Sequence, residues 1–292
     1  MSKVDHKLKT IEEVVAAHYS GLSEKLREAA DAVLANPVDV ATRTLRAVSS
    51  STGVAPATLS RLARALGFDS YEEMRELTRG AVERQLDGMG ERVQRLRTDG
   101  NNQGPIFDRQ AEACISNIAQ MRELNPNDRI DAAVEMLLSA RNVVLFGAFG
   151  ASGSVEYLAY LTSYFSSNWM LAGRRGESVG AALAGIQSDD VVFVVTKAPY
   201  AKRAVLAVEI AREAGAQTIV ITDDYACPAL MHATVGFIVP SESPQFFSSY
   251  AATMVLIEAI VATLVARSGD DTLDRIRSVE AHNRRFGEFW SR

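Results

Sequence analysis

Cysteine and long apolar runs are both scarce in this chain. Its 292 residues include only two cysteines, Cys114 and Cys227, which lie far apart in the sequence. Two isolated thiols form neither a disulfide framework nor a metal cluster, and they are typical of a reducing compartment. There is no run of about 18 apolar residues, and the first residues are polar, so we expect neither a membrane span nor a signal peptide. These absences predict a cytoplasmic protein with no membrane partner.

Histidine is also scarce. The four histidines are scattered along the chain, at His6, His18, His232 and His282. Each is expected to be a surface or packing residue rather than a ligand. We therefore predict no metal, no cofactor and no catalytic centre.

Acidic residues are missing from one stretch of an otherwise acidic protein. The net charge is −5, yet residues 40–68 contain four arginines and no aspartate or glutamate. The overall charge argues against a protein that binds nucleic acid over its whole surface. A local basic stripe is typical of a small DNA-reading module attached to another domain.

The same stretch has the spacing of two helices joined by a tight corner. Gly53 falls at the corner, and Pro56 suits the first position of a second helix, which we place over about residues 56–66. The face predicted to be buried consists of Leu59, Leu62, Ala63 and Leu66. The predicted DNA contacts are Arg43, Thr44, Ala57, Thr58, Ser60, Arg61 and Arg64. Short polar side chains can approach base edges, and arginines can bind guanine edges or phosphates. The alternative is an ordinary helical corner with a solvated face.

The second half of the chain alternates apolar strands with helices. Strands are predicted at Val143–Gly147, Trp169–Leu171, Val191–Thr196, Thr218–Thr222 and Val235–Val239. Because these strands are apolar throughout, we expect a five-stranded, flavodoxin-like parallel sheet with helices on both faces. Ligands bind such sheets beyond the carboxyl ends of the strands.

These patterns divide the chain into four parts. We predict an all-α helix-turn-helix domain over residues 1–80 and a helical connector over residues 81–127. An α/β domain follows over residues 128–268, and a helical tail over residues 269–292. The tail is expected to be a packing or dimer arm.

The first predicted strand ends in a glycine-rich segment, GAFGASG, at residues 147–153. Glycines permit a tight turn, and the N-terminus of the next helix, which we place near Ser152, favours an anion. No acidic residue closes a second strand about 20 residues later, so we do not expect NAD. The alternative is a strand-to-helix turn that binds no ligand.

Together, the segments VSSSTGVAPATLSRLARALGF and NVVLFGAFGASG, with a helical connector between them, resemble the RpiR/MurR family of bacterial transcriptional regulators. The resemblance implies a helix-turn-helix that binds an operator as a dimer and a SIS (sugar isomerase) domain that binds a phosphorylated sugar. By position in the family motif, the residues facing DNA are Thr58, Ser60, Arg61 and Arg64. Ser152 is the first serine of the phosphate loop by the same resemblance.

One loop departs from the family pattern. SIS domains usually carry a Ser-x-Ser-Gly-x-Thr-like segment after the third strand, whereas this chain has TKAPYA at residues 196–201. Proline lacks an amide donor, and Asp223 in the next loop would repel a phosphate. We therefore hypothesise a smaller or zwitterionic effector, with a carboxylate held by Lys197 and Ser152 and an amine held by Asp223 or Glu242.

The candidate effector residues are Ala148, Phe149, Gly150, Ser152, Thr196, Lys197, Tyr200, Asp223 and Glu242. The alternative is a pocket that has lost its ligand, in a sheet domain that only dimerises.

Three functions are compatible with these features. The first is a ligand-responsive transcriptional regulator, for example a repressor, that acts as a homodimer or homotetramer and is not an enzyme. The second is a SIS-type aldose–ketose isomerase, for which Glu242 is the best-placed base. The third is a DNA-binding dimer that needs no small ligand.

Overall fold

The structure is a computed structural model that describes residues 11–86, 89–99, 104–174 and 178–290. The chain forms two compact units, Met1–Glu91 and Arg92–Arg292. The finer predicted boundaries, at residues 80, 127 and 268, stay predictions. Most of the polar N-terminal segment and of the predicted loop at residues 99–105 lies outside the described residues.

The first unit is helical, as predicted. Its helices are α1 (Ile11–His18), α2 (Glu24–Ala35), α3 (Pro37–Thr42), α4 (Leu45–Thr52), α5 (Pro56–Ala65) and α6 (Tyr71–Leu86). A short 3₁₀ turn, Tyr19–Gly21, joins the first two, and α7 (Met89–Asp99) runs across the boundary between the units. Apolar side chains from α1 to α6 pack into one core around Leu59, Leu62 and Met74, each of which is fully buried.

Helix α3 was not predicted. From the sequence we expect a helix to end at Asn36-Pro37, because proline disfavours helical geometry in the residue before it. In the structure α2 does end there, but Pro37 is also the first residue of α3. Proline suits that position because its missing N–H has no partner in the first turn of a helix.

The second unit is an α/β structure. Its helices are α8 (Ile106–Leu124), α9 (Asn127–Ser139), α10 (Ala151–Ser163), α11 (Val179–Leu183), α12 (Lys202–Glu213), α13 (Ala251–Arg267) and α14 (Asp270–Phe286). Its strands are β1 (Val143–Gly147), β2 (Trp169–Leu171), β3 (Val191–Val195), β4 (Gln217–Thr222) and β5 (Val235–Ile238). A 3₁₀ turn, Pro228–His232, precedes β5.

The five strands form one parallel sheet in the order β2-β1-β3-β4-β5. This confirms the predicted five-stranded, flavodoxin-like sheet. Alternate side chains of the strands enter two separate apolar cores: Phe193 lies in one and Val192 in the other. Strand β3 is buried at every position, which is why it reads as a continuous apolar run.

The open edge of β5 is paired with a side chain rather than with another strand. The buried Asn125 donates from Nδ2 to Ile238 O at 2.6 Å and accepts from Ile238 N at 3.0 Å. Asn117, two turns earlier on α8, makes the same pair of bonds with the backbone of Glu242, at 2.8 and 3.2 Å. Two amide side chains therefore hold α8 against β5 and the loop that follows it.

No single described helix is long and apolar enough to cross a membrane. Among the described helices, α13 and α14 have the length and composition of a membrane span only when they are taken together. The chain bends by 115° between these two helices.

Replacing Asn125 should destabilise the second unit. Asn125→Ala leaves the backbone N–H and C=O of Ile238 buried without their partner, which should lower the free energy of unfolding by about 2–4 kcal/mol. Urea denaturation followed by circular dichroism measures this change. Asn127→Ala, an exposed residue at the start of α9, is the matched control and should change stability by less than about 0.5 kcal/mol. Equal effects from the two variants would contradict the proposed role of Asn125.

Candidate functional site

The helical corner in the first unit is built by local chemistry. Thr44 caps α4 by accepting a hydrogen bond from Ala47 N at 3.4 Å. Gly53 ends α4 with a φ of 73°, a left-handed conformation that costs glycine little and other residues more. Helix α5 then begins at Pro56, and Ala55 before it supplies no side-chain cap.

Helix α5 has one buried face and one open face. The residues predicted to be buried, Leu59, Leu62, Ala63 and Leu66, are each fully buried. On the opposite face Ala57, Arg61 and Arg64 are exposed, and Thr58 and Ser60 are half-buried. Arg61 Nη2 donates to Thr58 Oγ1 at 3.4 Å. A polar face with two arginines therefore stands on a rigid apolar support.

The two predicted contacts outside α5 are also exposed, but both have internal partners. Arg43 Nε lies 3.2 Å from Asp39 Oδ1, and Thr44 Oγ1 is used in capping α4. Asp39 lies just outside the acid-free stretch that begins at residue 40. Inspection of that stretch alone could not find this ion pair, which places a negative charge beside Arg43.

In the second unit, the backbone at the start of the loop from β1 to α10 lies very close to the first residue of α10. A Cβ at Gly147 would lie 2.7 Å from Ala151 O, so only glycine fits there. Phe149 has a φ of 53° and is 77% exposed. Ser152 Oγ donates to Phe149 O at 2.7 Å, and Ser152 N donates to the same carbonyl at 3.1 Å. The hydroxyl of Ser152 thus stabilises the loop, and its lone pairs remain as acceptors.

Lys197 is the buried cation at the end of β3. Its side chain is only 5% exposed, and Nζ donates to Val239 O at 2.9 Å. The ammonium also lies 5.5 Å from the ring centroid of Tyr250, within range of a cation–π interaction. Burial lowers the pKa of Lys197 to about 8, although the negative charge of Asp223 acts in the opposite direction and raises this pKa.

Asp223 binds the loops on either side of it. Both of its carboxylate oxygens accept from Ala198 N at 3.2 Å, and Oδ2 accepts from the hydroxyl of Ser241 at 3.2 Å. Burial raises the pKa of Tyr200, and the charge of Asp223 raises it further. The carboxylate therefore organises the ends of β3, β4 and β5.

Tyr250, which comes just before α13, completes this cluster. Its ring lies against the backbone of Gly150, where an added Cβ would meet Cε2 at 3.1 Å and the hydroxyl at 3.2 Å. Burial raises the pKa of Tyr250 to about 12, and the charge of Asp223 contributes. We refer to Gly150, Lys197, Tyr200, Asp223, Ser241 and Tyr250 as the strand-end cluster.

Most of the predicted effector residues lie at this edge of the sheet, but they are not equivalent. Thr196 is buried and extends the sheet by donating from its amide to Ile221 O at 3.0 Å. Ala148, Phe149 and Ser152 belong to the β1–α10 loop. Glu242 is held through its backbone by Asn117, and its side chain is exposed.

Sequence reasoning missed Tyr250 as a member of the cluster, and the candidate effector residues did not include Ser241. Neither the contact of Tyr250 with Gly150 nor its approach to Lys197 has a local sequence signal. Among the residues that the structure describes, no group of three or more His, Cys, Asp or Glu is placed to hold a metal ion.

Comparisons with known proteins agree with this architecture. Residues 136–263 match the family model of the SIS domain. An HTH-type transcriptional regulator of Haemophilus influenzae is 23% identical over 231 residues, which cover 75% of this chain and 76% of that protein. A second HTH-type regulator, from Caldanaerobacter subterraneus subsp. tengcongensis, is 23% identical over 266 residues, covering 82% and 85%.

Two solved structures share the fold. The NanR protein of Vibrio vulnificus, complexed with ManNAc-6P, has a TM-score of 0.58 at 20% identity and covers 94% of this chain and 98% of its own. The sugar isomerase domain of an RpiR transcription factor from Sphaerobacter thermophilus has a TM-score of 0.57 at 19% identity, covering 60% and 98%.

The buried ammonium of Lys197 should make stability depend on pH. Folding lowers the pKa of Lys197 from 10.5 to about 8, so between these values the unfolded chain binds more protons and stability rises with pH. Below this window both states hold the proton, and the full cost of burying the charge remains. Relative to Lys197→Met, the wild type should gain about 2 kcal/mol between about pH 7.5 and about pH 9.5.

Urea denaturation of both proteins at each pH measures this gain. Lys202→Met removes an exposed lysine from the start of α12 and is the matched control. If the wild type gains as much stability with pH relative to Lys202→Met as it gains relative to Lys197→Met, then Lys197 is not the source of the gain.

Proposed function

We propose that this chain, which contains a SIS domain, is an HTH-type transcriptional regulator of the RpiR family, in which α5 binds operator DNA and the strand-end cluster binds a small anionic effector. The effector would shift the protein toward one of two arrangements that differ in operator affinity. Such coupling requires the effector to bind one arrangement better than the other.

The open face of α5 is the observation that carries the DNA-binding proposal. Arg61 and Arg64 are exposed on a helix whose opposite face is fully buried. A recognition helix needs this arrangement, because its outward side chains must enter the major groove without disturbing the domain core. The short side chains of Ala57 and Thr58 near the start of α5 leave room for close approach to base edges.

The position of Lys197 supports an anionic effector. The cluster lies at the carboxyl edge of a parallel sheet, where ligands bind in folds of this class. Lys197 supplies a positive charge there, and the N-terminus of α10 supplies a partial one. The structurally similar NanR protein was solved with ManNAc-6P, a small phosphorylated ligand.

We propose a homodimer as the operator-binding form, since paired helix-turn-helix units read two half-sites. Helix α14 supports self-association. It has no buried residue, although Leu273 and Phe286 are apolar and Phe286 is 80% exposed. Covering these side chains with a second copy would remove them from water.

We also propose that the chain is not an enzyme. An aldose–ketose isomerase needs a base within hydrogen-bond reach of the sugar carbons. Glu242 points its side chain to solvent, and the oxygens of Asp223 already accept from Ala198 N and the Ser241 hydroxyl.

Loss of Arg61 should weaken operator binding. Arg61→Ala should reduce the affinity for an operator, selected from fragments of the source genome, by about 1–3 kcal/mol if Arg61 reads a base. Arg61→Lys keeps the charge but loses the planar guanidinium fork, so it should restore a phosphate contact and not a guanine contact.

Fluorescence anisotropy with labelled DNA measures each affinity. Arg79→Ala, on α6, is the control and should bind like the wild type. Unchanged binding by Arg61→Ala and by Arg64→Ala would contradict the assignment of α5.

The proposed absence of catalysis has a direct test. Fructose 6-phosphate and arabinose 5-phosphate should remain unconverted when incubated with the purified protein and followed by NMR. Turnover that Glu242→Gln abolishes would instead support the isomerase alternative.

A further inference from the structure

We infer that the effector carries a single negative charge, such as one carboxylate, and that Asp223 discriminates against doubly charged phosphates. This inference rests on the proposed function of the strand-end cluster as an effector site. It names the class of ligand that the cluster accepts.

The first step concerns the donors around Asp223. An anion bound at the ends of β3 and β5 would need N–H and O–H groups from the loops there. Ala198 N and the Ser241 hydroxyl are such groups, and both donate to Asp223 at 3.2 Å. Pro199, the next residue, has no N–H to offer. The protein's own carboxylate thus already uses donors that a bound anion would need.

The second step concerns charge. Lys197 is the ammonium of the cluster, and one of its three N–H donors is used by Val239 O. Asp223 opposes its charge, and Asp224 is a second acidic residue beside it, with a pKa that burial raises. A ligand with two negative charges would meet one ammonium and at least one carboxylate.

The third step concerns the residues around Lys197. The ring centroid of Tyr250 lies 5.5 Å from Nζ, and the edge of the ring lies against Gly150. The ring is therefore close to both the lysine and the residue that precedes α10. A planar carboxylate at this point could accept from the remaining N–H donors of Lys197, while its uncharged body contacts the tyrosine ring.

Small anions test the charge class without knowledge of the whole effector. The full-length protein is titrated with acetate, lactate, inorganic phosphate and glycerol 3-phosphate at about pH 7.5 and equal ionic strength, with chloride as the baseline. Melting temperature and ligand-observed NMR report binding, because a ligand that binds the folded state raises the melting temperature. We expect acetate or lactate to bind the wild type, and neither phosphate to bind measurably.

Three variants make the test specific. Asp223→Asn should raise the affinity for glycerol 3-phosphate by about tenfold or more, since one like charge is removed from the site. Lys197→Met should lose the response to acetate and lactate. Asp189→Asn, at an exposed aspartate before β3, is the control and should behave like the wild type.

Two results would overturn the inference: glycerol 3-phosphate binding the wild type as tightly as it binds Asp223→Asn, or carboxylates failing to bind the wild type. If Asp223→Asn does not fold, the comparison of carboxylate with phosphate on the wild type decides alone. Operator binding is measured on the same samples. If the wild type binds the operator but prefers phosphates to carboxylates, only the inferred charge class is refuted. If the wild type does not bind the operator, the proposed function itself is refuted.

Discussion

The strand-end cluster depends on one constraint, which is that all five strands run in the same direction. Parallel strands place every carboxyl end at one edge, so residues as distant in sequence as Gly150, Lys197, Asp223 and Ser241 become neighbours. The strands can take this arrangement because helices cover both faces, which requires continuously apolar sequences. The apolar run of β3 and the polar cluster beyond it are therefore two results of the same topology.

The two units use charge in opposite ways. Arg61 and Arg64 are exposed on α5, where water and salt screen their charges. Lys197 is buried, and its charge is balanced by Asp223 and by the face of an aromatic ring. An exposed arginine suits recognition of a large polyanion, whereas a buried lysine near a carboxylate suits discrimination among small ligands.

Periodicity and turn chemistry were sufficient to predict much of this molecule. The apolar spacing of α5 and the apolar runs of the strands depend on neighbours along the chain, so the helical corner and the five parallel strands followed from them. What could not be predicted depends on contacts between distant segments. The pairing of Asn125 with Ile238, the carboxylate bridge of Asp223 and the ring of Tyr250 over Lys197 join residues far apart in sequence. Helix α3 was missed for another reason, because proline can both end one helix and begin the next.

The amide side chain of Asn125 has a consequence for assembly. A β-sheet with a free edge can recruit a strand from another molecule, which is a route to uncontrolled aggregation. At Ile238 both backbone groups on that edge are already satisfied by Asn125, and α8 lies alongside. Ladder growth across β5 is therefore interrupted at this residue, and the side chain that joins α8 to the sheet also protects this edge against strand addition.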